Sequence, residues 1–225
     1  MTKAALLDRA LRAAGGLEAW RAARVWEARL STGGLAFRAR GRADLHDVRA
    51  SVATWGQRVV LDPFPKPGHR ASWHAGMVRI ERSSGGLVEE QHVTNWGRRW
   101  DDLSMAAFVG LALWTYASLP FVLADDDIVV EASGDRRLFV RFPDTIRTHS
   151  QIQTLHLDDR GLIRRHDYTA LAFGRWARAA QHVFRYEWCG AIRVPLERRV
   201  VPRVGTSAMP GPTLVWIRVS DVGLH

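Results

Sequence analysis

Hydrophobic and polar residues alternate along most of the chain, which is the pattern of strands that bury one face. In one such run, Trp26, Ala28 and Leu30 alternate with polar residues. Short turn-forming segments such as Gly33-Gly34 separate successive runs. This spacing predicts about ten to twelve strands joined as hairpins, and hence an antiparallel sheet.

Two stretches follow helical spacing instead. An amphipathic helix is predicted over residues 2–15, and an apolar helix from about Asp102 to Leu123, where Pro120 breaks it. The apolar stretch has 20 uncharged residues, 105–124, so its length would also suit a membrane span. Its internal polar residues and the strand-like remainder of the chain favour a buried core helix. Because it is hydrophobic almost all round, other elements have to cover it on most sides.

Together these elements predict an α+β fold in a single domain, residues 1–225. A sheet with this many strands has to curl, split or close. We therefore predict one strongly curved antiparallel sheet, a half-barrel, wrapped around the central apolar helix, with a short N-terminal helix. Alternation over 35–42 assigns that segment to a strand as well.

The net charge of +9 raises the question of a polyanionic partner. Lysine and arginine together number 32, and only Lys3 and Lys66 are lysines. The arginines are spread over nearly every strand, often at alternate positions, which is typical of a solvated sheet face. We therefore do not expect a nucleic-acid partner, although a nonspecific polyanion or membrane-surface contact stays open.

One cysteine, Cys189, excludes an internal disulfide framework and a cysteine-based zinc cage, and it fits a reducing compartment. Asp8 and Arg9 directly follow the first apolar run, so no secretory signal is predicted and the expected location is the cytoplasm. The chain has no glycine-rich nucleotide-binding motif, and its nine histidines are scattered. We therefore expect neither a cofactor nor a metal site.

The hairpin of residues 151–169 carries the strongest signal for a site. With a turn at its middle, Gln153 lies opposite His166, and the same, more apolar face holds Arg164 and Tyr168. If that face points inward, His166 and Tyr168 could act as acid and base, and Arg164 as an anion clamp. These three are the candidate catalytic residues.

Two alternatives to that interpretation stay open. The histidine and the tyrosine also fit an ordinary core in which neighbours satisfy their hydrogen bonds, with the arginine paired to Asp101 or Asp102. A register slip by one residue would instead turn a second set inward. That set is Arg165, Asp167 and His156.

Further candidates are expected to bind a ligand near the same cavity. Ten tryptophans are many for this length, and large flat side chains suit a pocket for an apolar ligand. Each candidate also fits ordinary core packing or, for the loop histidine, a solvated rim. The candidates are Gln153, Trp100, Phe108, Trp114, His182, Tyr186 and His149.

The layout resembles the bacterial lipoprotein-carrier superfamily, the LolA/LolB-like fold. Residues 14–20 (AGGLEAW) resemble the start of such domains, and residues 100–103 (WDDL) and 165–170 (RHDYTA) resemble uncharacterised bacterial proteins with the same layout. The resemblance covers nearly the whole chain and implies a curved sheet that binds acyl chains against its helices. A cytoplasmic enzyme of violacein biosynthesis also uses this half-barrel, so the fold does not decide between binding and catalysis.

The function predicted first is therefore binding of an apolar or amphipathic small molecule between the central helix and the sheet. The rival is a cofactor-independent acid–base enzyme on the same scaffold, such as a cyclase, isomerase or lyase of specialised metabolism. The third class is a structural or interaction protein with a filled core.

Overall fold

The computed structural model describes residues 2–225, and fourteen strands of that part form one antiparallel sheet. The strands are β1 (Val25–Gly33), β2 (Leu45–Ala53), β3 (Arg58–Asp62), β4 (His69–His74), β5 (Met77–Arg82), β6 (Leu87–His92), β7 (Val129–Ser133), β8 (Arg137–Arg141), β9 (Ile152–Leu157), β10 (Ile163–Thr169), β11 (Arg178–Cys189), β12 (Ile192–Val204), β13 (Ser207–Ala208) and β14 (Val215–Leu224). The α-helices are α1 (Lys3–Ala13), α2 (Leu17–Ala22), α3 (Leu35–Ala39) and α4 (Asp102–Ser118). Short 3₁₀ helices lie at Phe121–Ala124 and Leu171–Phe173.

The sheet is an antiparallel meander that does not close on itself. Its order is β6-β5-β4-β3-β2-β1-β14-β12-β11-β10-β9-β8-β7, and the short β13 pairs with β12 off this path. Strands β6 and β7 are therefore the two edges of an open half-barrel. The predicted α+β half-barrel around a central helix is confirmed, with slightly more strands than the ten to twelve expected.

The central helix α4 lies where the pattern predicts it. Asp101 caps it by accepting a hydrogen bond from the Ser104 amide at 2.7 Å. Pro120, which has no N–H to donate, follows its end at Ser118. The helix packs most closely against β3, β4 and β5. Gly110 makes this possible, because a Cβ there would stand only 2.6 Å from the Cβ of Trp73.

The segment predicted as a strand over 35–42 contains the short helix α3 instead. Gly34, at a φ of 126°, turns the chain there, and its amide donates to Oδ1 of Asp44 at 3.1 Å. Of the residues in α3, Phe37 is the buried one, and it packs against Phe108 with ring centroids 6.0 Å apart. One helical turn is enough to bury a single aromatic ring, whereas the alternation implied a whole inward face.

A second hydrophobic cluster lies under α1, which confirms the predicted N-terminal helix. Leu6 and Ala10 of α1 pack there with apolar residues of β7 to β11. Nearby, Phe121 stacks on Trp20 of α2 with ring centroids 4.8 Å apart. Within residues 2–225, no helix is long and apolar enough to cross a membrane.

Candidate functional site

The 151–169 hairpin contains a bulge that the alternation of its residues does not reveal. The pairing of β9 with β10 shifts between Ile163 and Arg165, so Arg164 has no partner across the strands. The extra residue turns the Arg164 side chain outward. Its guanidinium donates to Asp158 at 2.9 Å, and 47% of the side chain is exposed. The prediction that Arg164 points into the half-barrel is therefore wrong.

His166 and Tyr168 are buried, in the orientation the sequence predicts. Nε2 of His166 lies 2.6 Å from Oε1 of Gln153. The amide nitrogen of Gln153 donates in turn to the carbonyl of Ser150 at 2.7 Å. The bulge makes Gln153 and His166 diagonal neighbours rather than directly opposite ones, yet they are in contact.

Two tyrosines and a second histidine connect α4 to this part of the sheet. The hydroxyl of Tyr116 lies 2.8 Å from Nε2 of His149 and 2.9 Å from the hydroxyl of Tyr168. The rings of His149 and Tyr168 stack with centroids 4.3 Å apart. We call these buried residues the histidine–tyrosine cluster. Its members are Tyr116, His149, Gln153, His166 and Tyr168.

Burial keeps the histidine–tyrosine cluster uncharged at neutral pH. It lowers the pKa of His149 to about 3. Burial, with repulsion from a protonated His149 and from the Arg198 charge, lowers the pKa of His166 to about 3 as well. Burial also raises the pKa of Tyr116 to about 12 and raises that of Tyr168. The cluster is therefore a connected set of neutral hydrogen-bonding groups. Neither of its histidines is a base that takes up a proton readily near pH 7.

The opposite face of these strands carries the residues that a slipped register would have buried. Arg165 and His156 both contact the carboxylate of Asp167, at 2.6 and 3.1 Å. His182 lies on that face too, because it pairs directly with Arg165 and directly paired residues share a face. The predicted inward orientation of His182 is therefore wrong.

Strand β11 turns a different residue inward from the one its aromatic pattern suggests. Gln181 pairs with His166 and is fully buried. Nε2 of Gln181 and Nδ1 of His166 are both buried without a hydrogen-bond partner among the described residues. Tyr186 is partly buried: it packs against the hydrophobic cluster under α1 and also lines a surface groove beside Arg164. Its hydroxyl donates to the carbonyl of Ile163 at 2.8 Å, and not to the histidine–tyrosine cluster.

The three aromatic candidates near α4 separate in the structure. Phe108 lies beside the histidine–tyrosine cluster, with its ring centroid 5.6 Å from that of His149. Trp100 packs on Phe108 with centroids 4.9 Å apart. Trp114 is directed elsewhere, because its indole N–H donates to the carbonyl of Gly56 at 3.0 Å.

The arginine that does point inward is Arg198 of β12, which the sequence analysis did not single out. It is only 7% exposed and shares its face of β12 with Val194 and Val200. Its guanidinium donates to Oε1 of Gln181 at 3.1 Å and to the carbonyl of Tyr116 at 2.9 Å. One charged residue within an otherwise apolar alternating set is the signal that could have found it.

Two clefts separate α4 from β12 and β14. The C-terminal cleft lies beside the last turns of α4 and residues 192–196 of β12, and it includes Arg198. The central cleft lies beside the middle of α4; its lining includes Phe108 and Tyr168. Both clefts are lined by Leu113, Tyr116 and Ile217, so they adjoin.

Both clefts are narrow. Each has a volume of about 30 Å³, room for one or two water molecules. Pockets for small-molecule ligands usually start at roughly 300 Å³. The predicted ligand-sized cavity is therefore not open here, and side chains fill most of the concave side. Within residues 2–225, no group of three His, Cys, Asp or Glu side chains is placed to hold a metal ion.

Comparison with known proteins supports the fold. No protein-family model matches the chain, and no curated protein matches it. Among solved structures, it is similar to a LolA superfamily protein from Nitrosomonas europaea, with a TM-score of 0.53 and 13% identity over 100% of this chain and 94% of the other. It is also similar to a DUF1329 family protein from Desulfovibrio piger, with a TM-score of 0.52 and 12% identity over 99% of this chain and 93% of the other. The chain therefore has a LolA-like fold, and at these identities the likeness concerns the fold alone.

Proposed function

We propose that the protein binds an apolar or amphipathic small molecule on the concave side of the half-barrel, between α4 and strands β12 and β14. One observation carries this proposal: the C-terminal and central clefts adjoin along one face of α4. A single elongated ligand could therefore occupy both. Their linings are mainly aliphatic and aromatic, which suits a ligand that is apolar over most of its length.

One wall of the C-terminal cleft is a strand segment that has strand pairing on one side only. In the described chain, β12 pairs with β14 only from Glu197 to Val200. Residues 192–196 of β12 have left that ladder and form one wall of the cleft, while residues 192–195 stay paired with β11 on their other side. A segment with strand pairing on one side only opens at lower free-energy cost than one paired on both sides. Outward movement of this wall would widen the cleft to the size a ligand needs.

Fluorescence titration with N-phenyl-1-naphthylamine, an uncharged probe that brightens in apolar surroundings, tests this proposal. We expect saturable binding with one site per chain. Ala117→Leu should weaken it at least about tenfold, because Ala117 lines the C-terminal cleft and the larger side chain fills it. The matched control is Ala5→Leu on the exposed side of α1, which should bind like the wild type. If the wild type shows no saturable binding, the proposal fails, and an interaction protein with a filled core is the better description.

An acid–base enzyme on the same scaffold is the second candidate function. It is favoured by the position of Tyr168, which lines the central cleft and is linked through Tyr116 to His149. The hydroxyl chain offers a neutral proton donor at the cleft, whereas the outward Arg164 cannot serve as the anion clamp. Native mass spectrometry of protein purified without detergent separates the two functions. A binder retains the same molecule with and without Tyr168→Phe, whereas an enzyme retains unconverted substrate only in the variant.

The single cysteine fits a reducing compartment, and we propose the cytoplasm as the place where this binding occurs.

A further inference from the structure

Arg198 is a buried cation without a carboxylate partner. Its side chain is at the wall of the C-terminal cleft, and the residue is 7% exposed. The ion pairs among residues 2–225 do not include it. Two of its five N–H donors bind neutral oxygens, those of Gln181 and Tyr116. A buried charge held only by neutral groups is costly unless an anion joins it.

Part of that cost is offset by the end of α4. The carbonyl of Tyr116 would bond to the amide four residues later, but that residue is Pro120, which has no N–H. Arg198 donates to this carbonyl instead, at 2.9 Å, and so lies at the negative end of the helix dipole. Its guanidinium also lies over the Tyr116 ring, 4.9 Å from the centroid. These contacts explain why Arg198 is tolerated, but they supply no full negative charge.

We propose that Arg198 binds the acidic head group of the ligand, a carboxylate or a phosphate, while the apolar chain lies along α4. This inference rests on the proposed function and adds the ligand's chemical class, an apolar acid. The Arg198 guanidinium donates to the Tyr116 carbonyl at the end of α4 and still has N–H donors left for an anion. Charge-assisted hydrogen bonds to carboxylate or phosphate are among the strongest that arginine makes. The head group would supply the counter-charge that Arg198 lacks in the described chain.

The rim of the cleft has the charge needed to admit such a ligand. Arg193 lines the C-terminal cleft and also an outer groove of about 350 Å³. That groove carries three further arginines beside the exposed Trp188. They are Arg160, Arg164 and Arg185. Arg164 and Arg185 are paired with Asp158 and Glu187, so Arg160 and Arg193 supply the net positive charge of the rim. That net charge raises the local concentration of anions at the mouth of the cleft.

Displacement of N-phenyl-1-naphthylamine by a chain-matched pair, dodecanoate and dodecan-1-ol, tests the inference. We expect dodecanoate to displace the probe from the wild type at a concentration at least about tenfold lower than dodecan-1-ol. If both displace it equally, the inference is overturned while the proposed function stands. If neither displaces it and the probe itself does not bind, the proposed function fails first. Sodium acetate, which lacks the chain, should not displace the probe; displacement by acetate would point to a free-anion site.

Two arginine variants locate the head group. Arg198→Gln should reduce the preference for dodecanoate to within about twofold, because the cation at the cleft is gone. The matched control is Arg199→Gln. This neighbour is exposed and binds Glu197 at 2.8 Å, so its loss should leave the preference unchanged. Loss of the preference in Arg193→Gln but not in Arg198→Gln would place the head group at the rim and contradict the proposal.

A measurement on the wild type alone covers the case in which Arg198→Gln does not fold. The carboxyl signal of bound [1-¹³C]dodecanoate can be followed by NMR between pH 8 and 5. Burial without a cation raises the pKa of a carboxyl group, whereas an arginine partner lowers it. We expect the bound head group to remain ionised at a pH where free dodecanoate is already partly protonated. A bound carboxyl that takes up its proton at higher pH than the free acid would overturn the inference.

Discussion

The two sides of α4 are built in opposite ways. On one side the helix lies so close to the sheet that position 110 has to be glycine, against the Cβ of Trp73. On the other side it faces β12 and β14 across two clefts, and the contacts there include the histidine–tyrosine cluster and Arg198. We call the side that faces β3, β4 and β5 the tight side and the side that faces β12 and β14 the loose side. On the tight side, close packing of side chains fixes the position of the helix. The loose side holds buried polar groups and narrow clefts, and it is the side to which the proposed function assigns a ligand.

The largest expected effect on the free energy of unfolding comes from protonation of the buried histidines on the loose side. Burial lowers the pKa of His149 and His166 to about 3 from the ordinary 6.5. Below pH 6.5 the unfolded chain takes up protons that the folded chain refuses, so the free energy of unfolding falls as the pH falls, and the loss continues to about pH 3. Each histidine should contribute up to about 1.4 kcal/mol per pH unit in this window. Urea unfolding at pH 6.5, 5.5 and 4.5 measures the slope.

His166→Gln should lower that slope by up to about half, because it removes one of the two histidines whose pKa is lowered to about 3. The matched control is His74→Gln, at an exposed histidine of β4, which should leave the slope as it is in the wild type. A slope that His166→Gln does not change would show that the loose side is not protected from protons as described.

A smaller effect is expected from the tight side. Gly110→Ala gains about 1 kcal/mol in helix propensity, yet its new methyl group meets the Trp73 Cβ, which cannot move without its strand. We expect a net loss of about 1–2 kcal/mol, measured by urea unfolding at pH 7.5. Ala117→Leu, which adds more volume on the loose side, should cost less than Gly110→Ala. The contrast between the two sides fails if Ala117→Leu is the more destabilising change.

Alternation and helical spacing were enough to predict the half-barrel, because hairpin turns and one long apolar stretch are local features. The orientation of individual side chains was harder to predict. His166, Tyr168 and Gln153 follow the alternation, but the bulge at Arg164 depends on pairing with β9, and the pattern of one strand does not record it. The side-chain orientation of a charged residue next to a set of apolar positions therefore cannot be predicted until the strand pairing is known.

The sequence analysis missed three residues of the site for the same reason. Tyr116, Gln181 and Arg198 lie on three different elements, α4, β11 and β12, and come together only through the fold. Tyr116 belongs to an apolar helix and fits ordinary core packing. The aromatic residues of β11 suggested an inward face that its pairing with β10 turns outward, as His182 shows. Cross-strand pairing, and not the residue types along a single strand, determines which side chains face inward.

Isoleucine methyl NMR tests most directly the proposal that a ligand binds on the loose side of α4. Ile192 and Ile217 line the clefts of the loose side, whereas Ile80 belongs to β5 on the tight side. On titration with dodecanoate, we expect the δ1-methyl signals of Ile192 and Ile217 to shift progressively and saturate, while that of Ile80 stays in place. Shifts at Ile80 with none at Ile192 and Ile217 would contradict the assignment of the ligand to the clefts beside β12 and β14.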